Sequence, residues 1–383
     1  MHWLIVKANP LGRRGNYLDK THDFSYFGHA AHCSRKNRGS QDMNKGKGRR
    51  KKSSWASLSN GRKWLGRVPL FDPSGGWVVR HPPGDGKGNW AGAPSAFYDD
   101  EHKRFYLSYR LRKPLTEGRG YVTRIAESKD GKKFTDIWAG KATQFNSPSI
   151  ERSALIKTPE GRYRLYVSYV EAADNRWRID MLEADHPSRF DPAKRQPVLR
   201  PDDVDSEGVK DPYVILIGGM YYMYVPYGPK ATVTAGSTAK DLHGTGNVFT
   251  TARVAHPTGL AVSSDGVHFE WKGDVIRPGK GWDCNVARLA CVVYVPPVFT
   301  AFYDGRTGKG DVYEDRTGIT IGLTPDRFEC LSRKEPVLCS PWGTGSLRYM
   351  DIVPMGDHFY YFYEQCRPDG AHELRGNAVE LNG

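Results

Sequence analysis

In "YRLYVSYV", Tyr163 to Val170, aromatic and β-branched side chains take five of eight consecutive positions, the composition of a strand with little solvent on either face. The same kind of segment recurs as "RFYLSYR" (104–110), "MYYMYVPYG" (220–228), "VFTAFYDG" (298–305) and "HFYYFYEQ" (358–365). The last tyrosines of these cores, Tyr109, Tyr169, Tyr227, Tyr303 and Tyr363, stand 60, 58, 76 and 60 residues apart. A period of that size built from strands points to radial repetition. The long interval contains "GPKATVTAGSTAKDLHGTGNVFT" (228–250), whose Gly, Thr and Ser content reads as a loop.

A second strand precedes each aromatic strand across a tight turn: "APSAFYD", "RSALIKT", "DPYVILI", "NVARLACVVYV" and "RYMDIVPM". Four of the five are followed by a strand and turn of shared shape, as in "TRIAESKDGKKF" and "LAVSSDGVHFEW", and the fifth ends as "HELRGNAVEL". Antiparallel strands repeated in this way predict an all-β fold, a five-bladed β-propeller. Residues 55–80, before the first repeat, are expected to supply the outer strand that closes the last blade. The abundance of Tyr (21), Trp (10), Gly (42) and Pro (25) agrees with short strands and many turns.

The net charge of +13 is concentrated at the N-terminus: residues 1–52 hold 13 Lys or Arg against three Asp, which leaves about +3 for the other 331. Residues 1–54 are therefore expected to be a basic, disordered tail, or a start placed too early, since Met43 can open a shorter chain with the same fold. Residues 55–383 are expected to form the propeller domain, with no specific nucleic-acid role. The opening apolar run is only four residues long and no stretch approaches 18 apolar residues, so neither export nor a membrane anchor is expected and the cytoplasm is the expected location. The six cysteines show no spacing of a metal site, and a structural zinc is not expected.

In a propeller the first strand of each blade lines the axis, so its leading residues meet at one mouth. These positions read "WAGAPS", "SPSIERS", "GVKDPY", "GWDCNVAR" and "GSLRYMD". They would gather Glu151, Asp211 and Asp283 beside Arg152, Lys210, Arg288 and Arg348, with Trp90, Trp282 and Tyr349 at the rim. Charges that open apolar strands are costly to bury, which a shared wet cavity explains.

Five blades, a "KDP" opening the third and a "WDC" opening the fourth resemble the five-bladed propeller glycoside hydrolases of families 43 and 32, which include arabinanases, xylosidases and invertases. The resemblance covers roughly residues 65–383. It implies hydrolysis of a terminal sugar or small oligosaccharide, with no required cofactor; calcium at the channel centre suits such folds, yet no oxygen-ligand motif here argues for it. It places the sugar-orienting carboxylate at Asp211 and the acid at Asp283, where those families carry Glu. The first blade reads Gly92-Ala93-Pro94 where they carry Asp-Pro, so the expected base is missing. Glu151 is the nearest substitute, with Asp72 and Asp85 in reserve, because glycoside cleavage uses two carboxyl groups. The rim aromatics could stack on sugar faces.

A propeller that binds a glycan or a partner without turnover is the alternative, and a phosphorylase that grips phosphate with Arg152, Arg288 and Arg348 is a third reading. His81, His256 and His372 read as loop histidines satisfied by backbone.

Overall fold

The computed structural model describes residues 68–308 and 313–380. The basic tail and its expected disorder lie outside the described residues, as do positions 55–67 of the expected closing segment.

Among the described residues the only α-helix is α1 (Ala239–His243), and nearly everything else regular is strand. β1 (Trp77–Arg80) comes first. The next four, β2 (Trp90–Asp99), β3 (Arg104–Arg112), β4 (Gly120–Ser128) and β5 (Thr135–Lys141), form an antiparallel meander. A second meander is β6 (Ile150–Lys157), β7 (Tyr163–Val170), β8 (Trp177–Ala184) and β9 (Gln196–Leu199). In the third, an interrupted inner strand, β10 (Ser206–Val209) and β11 (Tyr213–Ile217), pairs with β12 (Met220–Pro229), followed by β13 (Thr258–Ser263) and β14 (Glu270–Ile276). The fourth is β15 (Val286–Val295), β16 (Val298–Arg306), β17 (Arg316–Thr324) and β18 (Arg327–Cys330). The last is β19 (Leu347–Met355), β20 (His358–Cys366) and β21 (His372–Glu380), onto which β1 adds as the outer strand. The segment before the first repeat thus closes the last sheet through Trp77–Arg80, as its position in the sequence implied.

The inner strands touch in a closed cycle: β2 against β6, β6 against β11, β11 against β15, β15 against β19, and β19 against β2. Sheets arranged radially in this way make an all-β propeller. The aromatic strands β3, β7, β12, β16 and β20 lie second in each sheet and are covered on both faces, which is why they carry so few polar residues.

Every inner strand is irregular at the same depth. Gly92 pairs with Arg110 but Ser95 with Ser108; Ile150 with Tyr169 but Ser153 with Val167; Arg348 with Glu364 but Asp351 with Phe362. Leu289 pairs with Tyr303 but Cys291 with Phe302, and the break between β10 and β11 takes Val209 opposite Tyr227 and Tyr213 opposite Tyr224. Each inner strand therefore holds one residue more than its partner, a β-bulge, and a bulge re-aims side chains. The extra residues fall among Ala93-Pro94, Glu151-Arg152, Lys210-Asp211-Pro212, Ala290 and Tyr349-Met350. Ala93, Asp211 and Tyr349 have φ of 53°, 52° and 55°. A left-handed conformation costs a non-glycine residue about 1 kcal/mol or more, and such strain gathers where function demands it. The charged pair before Pro212 stands where it does because the bulge turns it toward the axis.

Candidate active site

At the axis, a chain of ion pairs passes through all five meanders. Arg110 Nε meets Glu151 Oε2 at 2.7 Å, and its Nη2 meets Glu364 Oε2 at 3.0 Å. Glu364 Oε1 receives Arg348 at 2.6 Å, and Arg348 reaches Asp315 at 3.2 Å. Asp315 receives Arg288 at 2.9 Å, and Arg288 reaches Asp211 at 3.4 Å. Lys210 Nζ ends the chain 3.3 Å from Asp211. Arg112 is a second partner of Glu151, Arg288 also binds Asp304 at 2.9 Å, and Arg306 binds Asp315 at 3.0 Å. All of these side chains are buried.

Burial alone would raise Glu151, but Arg110 and Arg112 outweigh it and hold its carboxyl well below the usual range. Desolvation likewise works against Asp315, yet Arg288, Arg306 and Arg348 keep it low. Asp304 is different: burial pushes it up to about 6 despite Arg288. Burial also lowers Lys210, although Asp211 and Glu151 favour its charge, and it raises the Tyr349 phenol well above its ordinary value.

These groups surround a pocket lined by Trp90, Arg110, Glu151, Lys210, Asp211 and Pro226, and by Arg288, Arg306, Arg348 and Tyr349. Tyr349 Oη donates to Asp211 Oδ2 at 3.2 Å. The guanidinium groups of Arg112 and Arg348 lie 4.7 and 4.8 Å from the Trp90 ring centre. The free cavity is about 30 Å³, room for about two waters. Several side-chain atoms of the lining residues have no hydrogen-bond partner, among them Nε1 of Trp90 and Nε2 of His256.

Of the residues expected at the mouth, Glu151, Lys210, Asp211, Arg288, Arg348, Trp90 and Tyr349 are brought together there. Three are not. Asp283 precedes β15 in a loop, where it accepts from Tyr303 Oη at 3.0 Å and from Arg333 at 2.7 Å, and neither partner lines the pocket. Trp282 stacks on Tyr303 and donates from Nε1 to Ser332 O. The fourth inner strand, expected as "NVARLACVVYV" from Asn285, runs from Val286 to Val295; Trp282 and Asp283 lie in the loop before it and stay away from the pocket, and Arg288 is the side chain that reaches it. Arg152 is an axial clamp rather than a pocket wall: it donates to Pro94 O at 3.1 Å and to Ala290 O at 2.6 Å, tying three sheets.

The reserve acids also lie elsewhere. Asp72 is exposed and accepts from Ser74, and Asp85 is exposed and pairs with Arg367. His81 is exposed near Glu373, whereas His256 lines the pocket and His372 is buried behind Trp90, so two of the three loop histidines are core groups. Sequence reading missed Arg110, Arg112, Asp304, Asp315 and Glu364. Arg110, Asp304 and Glu364 follow the tyrosine that ends each aromatic core, and charge recurring there was the available signal. It also missed Asn247, Phe249 and Thr250, which the 228–250 insertion contributes to the wall.

No protein-family model matches the sequence, and no curated protein does. Solved structures match over nearly the whole propeller. One described as a glycoside hydrolase has a TM-score of 0.60 at 12% identity, covering 87% of this chain and 97% of the other. A thermostable family-43 glycoside hydrolase has a TM-score of 0.55 at 14% identity, over 79% and 92%. The beta-1,2-mannobiose phosphorylase from Listeria innocua, in complex with beta-1,2-mannobiose, has a TM-score of 0.54 at 14% identity, over 79% and 93%. The fold is thus the propeller type found among glycoside hydrolases, and the likeness singles out no one family.

Proposed function

We propose that the five sheets are the blades of a carbohydrate-active enzyme that cleaves a glycosidic bond at the axial pocket. One observation carries this reading. Eight charged side chains from all five sheets, Glu151, Arg110, Glu364, Arg348, Asp315, Arg288, Asp211 and Lys210, form one buried chain around an indole and a phenol. Apolar residues in their place would stabilise the fold as well or better, so the cost of burying them is best understood as serving a ligand. The unpartnered Trp90 Nε1 and His256 Nε2 offer hydrogen-bonding atoms to sugar hydroxyls. The small free volume means that a sugar ring enters as lining side chains swing aside.

Glu151, held ionised between two arginines, suits the carboxylate that stabilises positive charge at the anomeric carbon. Asp211 is the remaining carboxyl on the pocket wall and is assigned the proton transfer to the leaving oxygen. Hydrolysis would also need a group to activate water.

A second reading follows from Ala93 at the position of the missing base and from the five cationic side chains that line the pocket, Arg110, Lys210, Arg288, Arg306 and Arg348. Phosphate is already an anionic nucleophile and needs cations more than a base, so phosphorolysis fits these two facts. The test is a panel of chromogenic and natural glycosides incubated with and without inorganic phosphate. Free sugar in both buffers supports hydrolysis, sugar phosphate supports phosphorolysis, and binding with no product in either overturns the enzyme reading.

A further inference from the structure

Behind Trp90, on the side away from the pocket, three buried side chains from distant parts of the chain converge. Glu314 lies between β16 and β17, Cys366 ends β20 and His372 opens β21. Their donor atoms all lie within 4.8 Å of one another, and none of the three residues is more than 5% exposed. A carboxylate, a thiol and an imidazole are the donor types of a zinc-class cation.

The histidine is already set for this role. Its Nδ1 sits 2.8 Å from Glu364 Oε1, and its ring is stacked on Trp90 with centroids 5.0 Å apart. A carboxylate on one ring nitrogen fixes a metal-binding histidine and directs the other nitrogen at the ion. That other nitrogen, Nε2, is fully buried and makes no hydrogen bond. Its nearest carboxylate oxygen, Glu314 Oε2, is 3.4 Å away. Two ligands about 2.0–2.1 Å from a tetrahedral ion stand about 3.3–3.4 Å apart, so this gap suits a shared cation better than a direct hydrogen bond.

We propose that Glu314, Cys366 and His372 supply three ligands of a site for one zinc-class divalent cation, which clips the fourth sheet to the fifth. His372 also makes the single parallel bridge to Trp90 that joins the last sheet to the first, so the ion would brace that junction. Binding replaces the Cys366 thiol proton and any proton on His372 Nε2, releasing up to two protons per ion.

Two glutamates thus face the His372 ring nitrogens, Glu364 at Nδ1 and Glu314 at Nε2. Lys87 Nζ, 4.0 Å from Glu314, and Arg348, bound to Glu364, are the other charges that face the cluster. The donors are 52 and 6 residues apart along the chain, so the fold and not a local motif brings them together.

The proposal is independent of the reaction at the pocket. Its test is metal analysis of the full chain after dialysis, followed by titration of chelator-treated protein with cobalt(II) chloride. The expected results are about one zinc per chain, tetrahedral cobalt absorption with a thiolate charge-transfer band, and a Tm lowered by roughly 5 °C or more on chelation. Cys366→Ser should remove the charge-transfer band. Should that variant fail to fold, the wild-type cobalt spectrum still decides. Dialysed protein with no metal, no cobalt band and a Tm indifferent to chelator overturns the site.

Discussion

Tyr303 donates its phenol to Asp283 at 3.0 Å, and the equivalent tyrosines of three other sheets do the same to their own aspartates. Tyr109 reaches Asp136 at 2.8 Å, Tyr169 reaches Asp180 at 2.8 Å and Tyr227 reaches Asp274 at 2.6 Å. Asp283 therefore belongs to a repeated structural pair. Asp283→Asn should cost about 1–3 kcal/mol, seen as a Tm several degrees lower, because Arg333 loses its counter-charge and a neutral amide oxygen accepts more weakly from Tyr303 and Arg333. Its kcat/KM should stay within a few-fold of wild type, whereas Asp211→Asn should lose at least about 100-fold. Equal losses in the two variants would return Asp283 to the reaction.

Glu151 neutralises Arg110 and Arg112 together. Glu151→Gln should leave two buried guanidinium groups short of a counter-charge and cost about 3–5 kcal/mol in urea denaturation. Turnover should fall with it, and more steeply than for Asp283→Asn. A stable, fully active Glu151→Gln enzyme would refute the assigned role.

Trp90 carries arginines over its ring and His372 behind it, and it is fully buried. Trp90→Phe should keep the fold and raise KM several-fold with a smaller change in kcat, since it removes stacking area and the free indole N–H. Trp90→Ala should cost about 3–5 kcal/mol of stability. Steady-state kinetics of Trp90→Phe separates the two effects, and an unchanged KM would remove Trp90 from substrate binding.

Asp351 accepts from Ala96 N at 2.7 Å and from Ile352 N at 2.8 Å, and burial pushes it up to about 6 although Arg152 opposes. A carboxyl whose folded value exceeds its unfolded one contributes stability below about pH 4 and loses it as pH rises through 6. Asp351→Asn has no such proton to release. Between pH 4 and 8 its stability relative to wild type should therefore rise by about 3 kcal/mol, two pK steps of about 1.4 kcal/mol each. Urea denaturation of both proteins across that range measures it, and a constant difference would exclude the linkage.

Much of the fold was legible because strands carry their own signature. Segments of seven to nine residues rich in aromatic and β-branched side chains, recurring near every 60 residues, mark strands covered on both faces, and only a stack or a ring of sheets provides that cover. The third inner strand was legible through "KDP", since a charged pair against an apolar run has to be turned toward something polar. The fourth was legible as "NVARLACVVYV", but nothing local shows that Trp282 and Asp283, just before it, turn away from the axis.

The sequence by itself determined the repeat, the all-β class, the closing segment before the first repeat, and the sheets that bring Glu151, Asp211, Arg288 and Arg348 to the axis. Only the tertiary structure decided which atoms pair there. A bulge of one residue changes the face a side chain occupies, and ion pairs such as Arg110–Glu364 and Arg288–Asp315 join positions whose separation along the chain has no bearing on their distance in space.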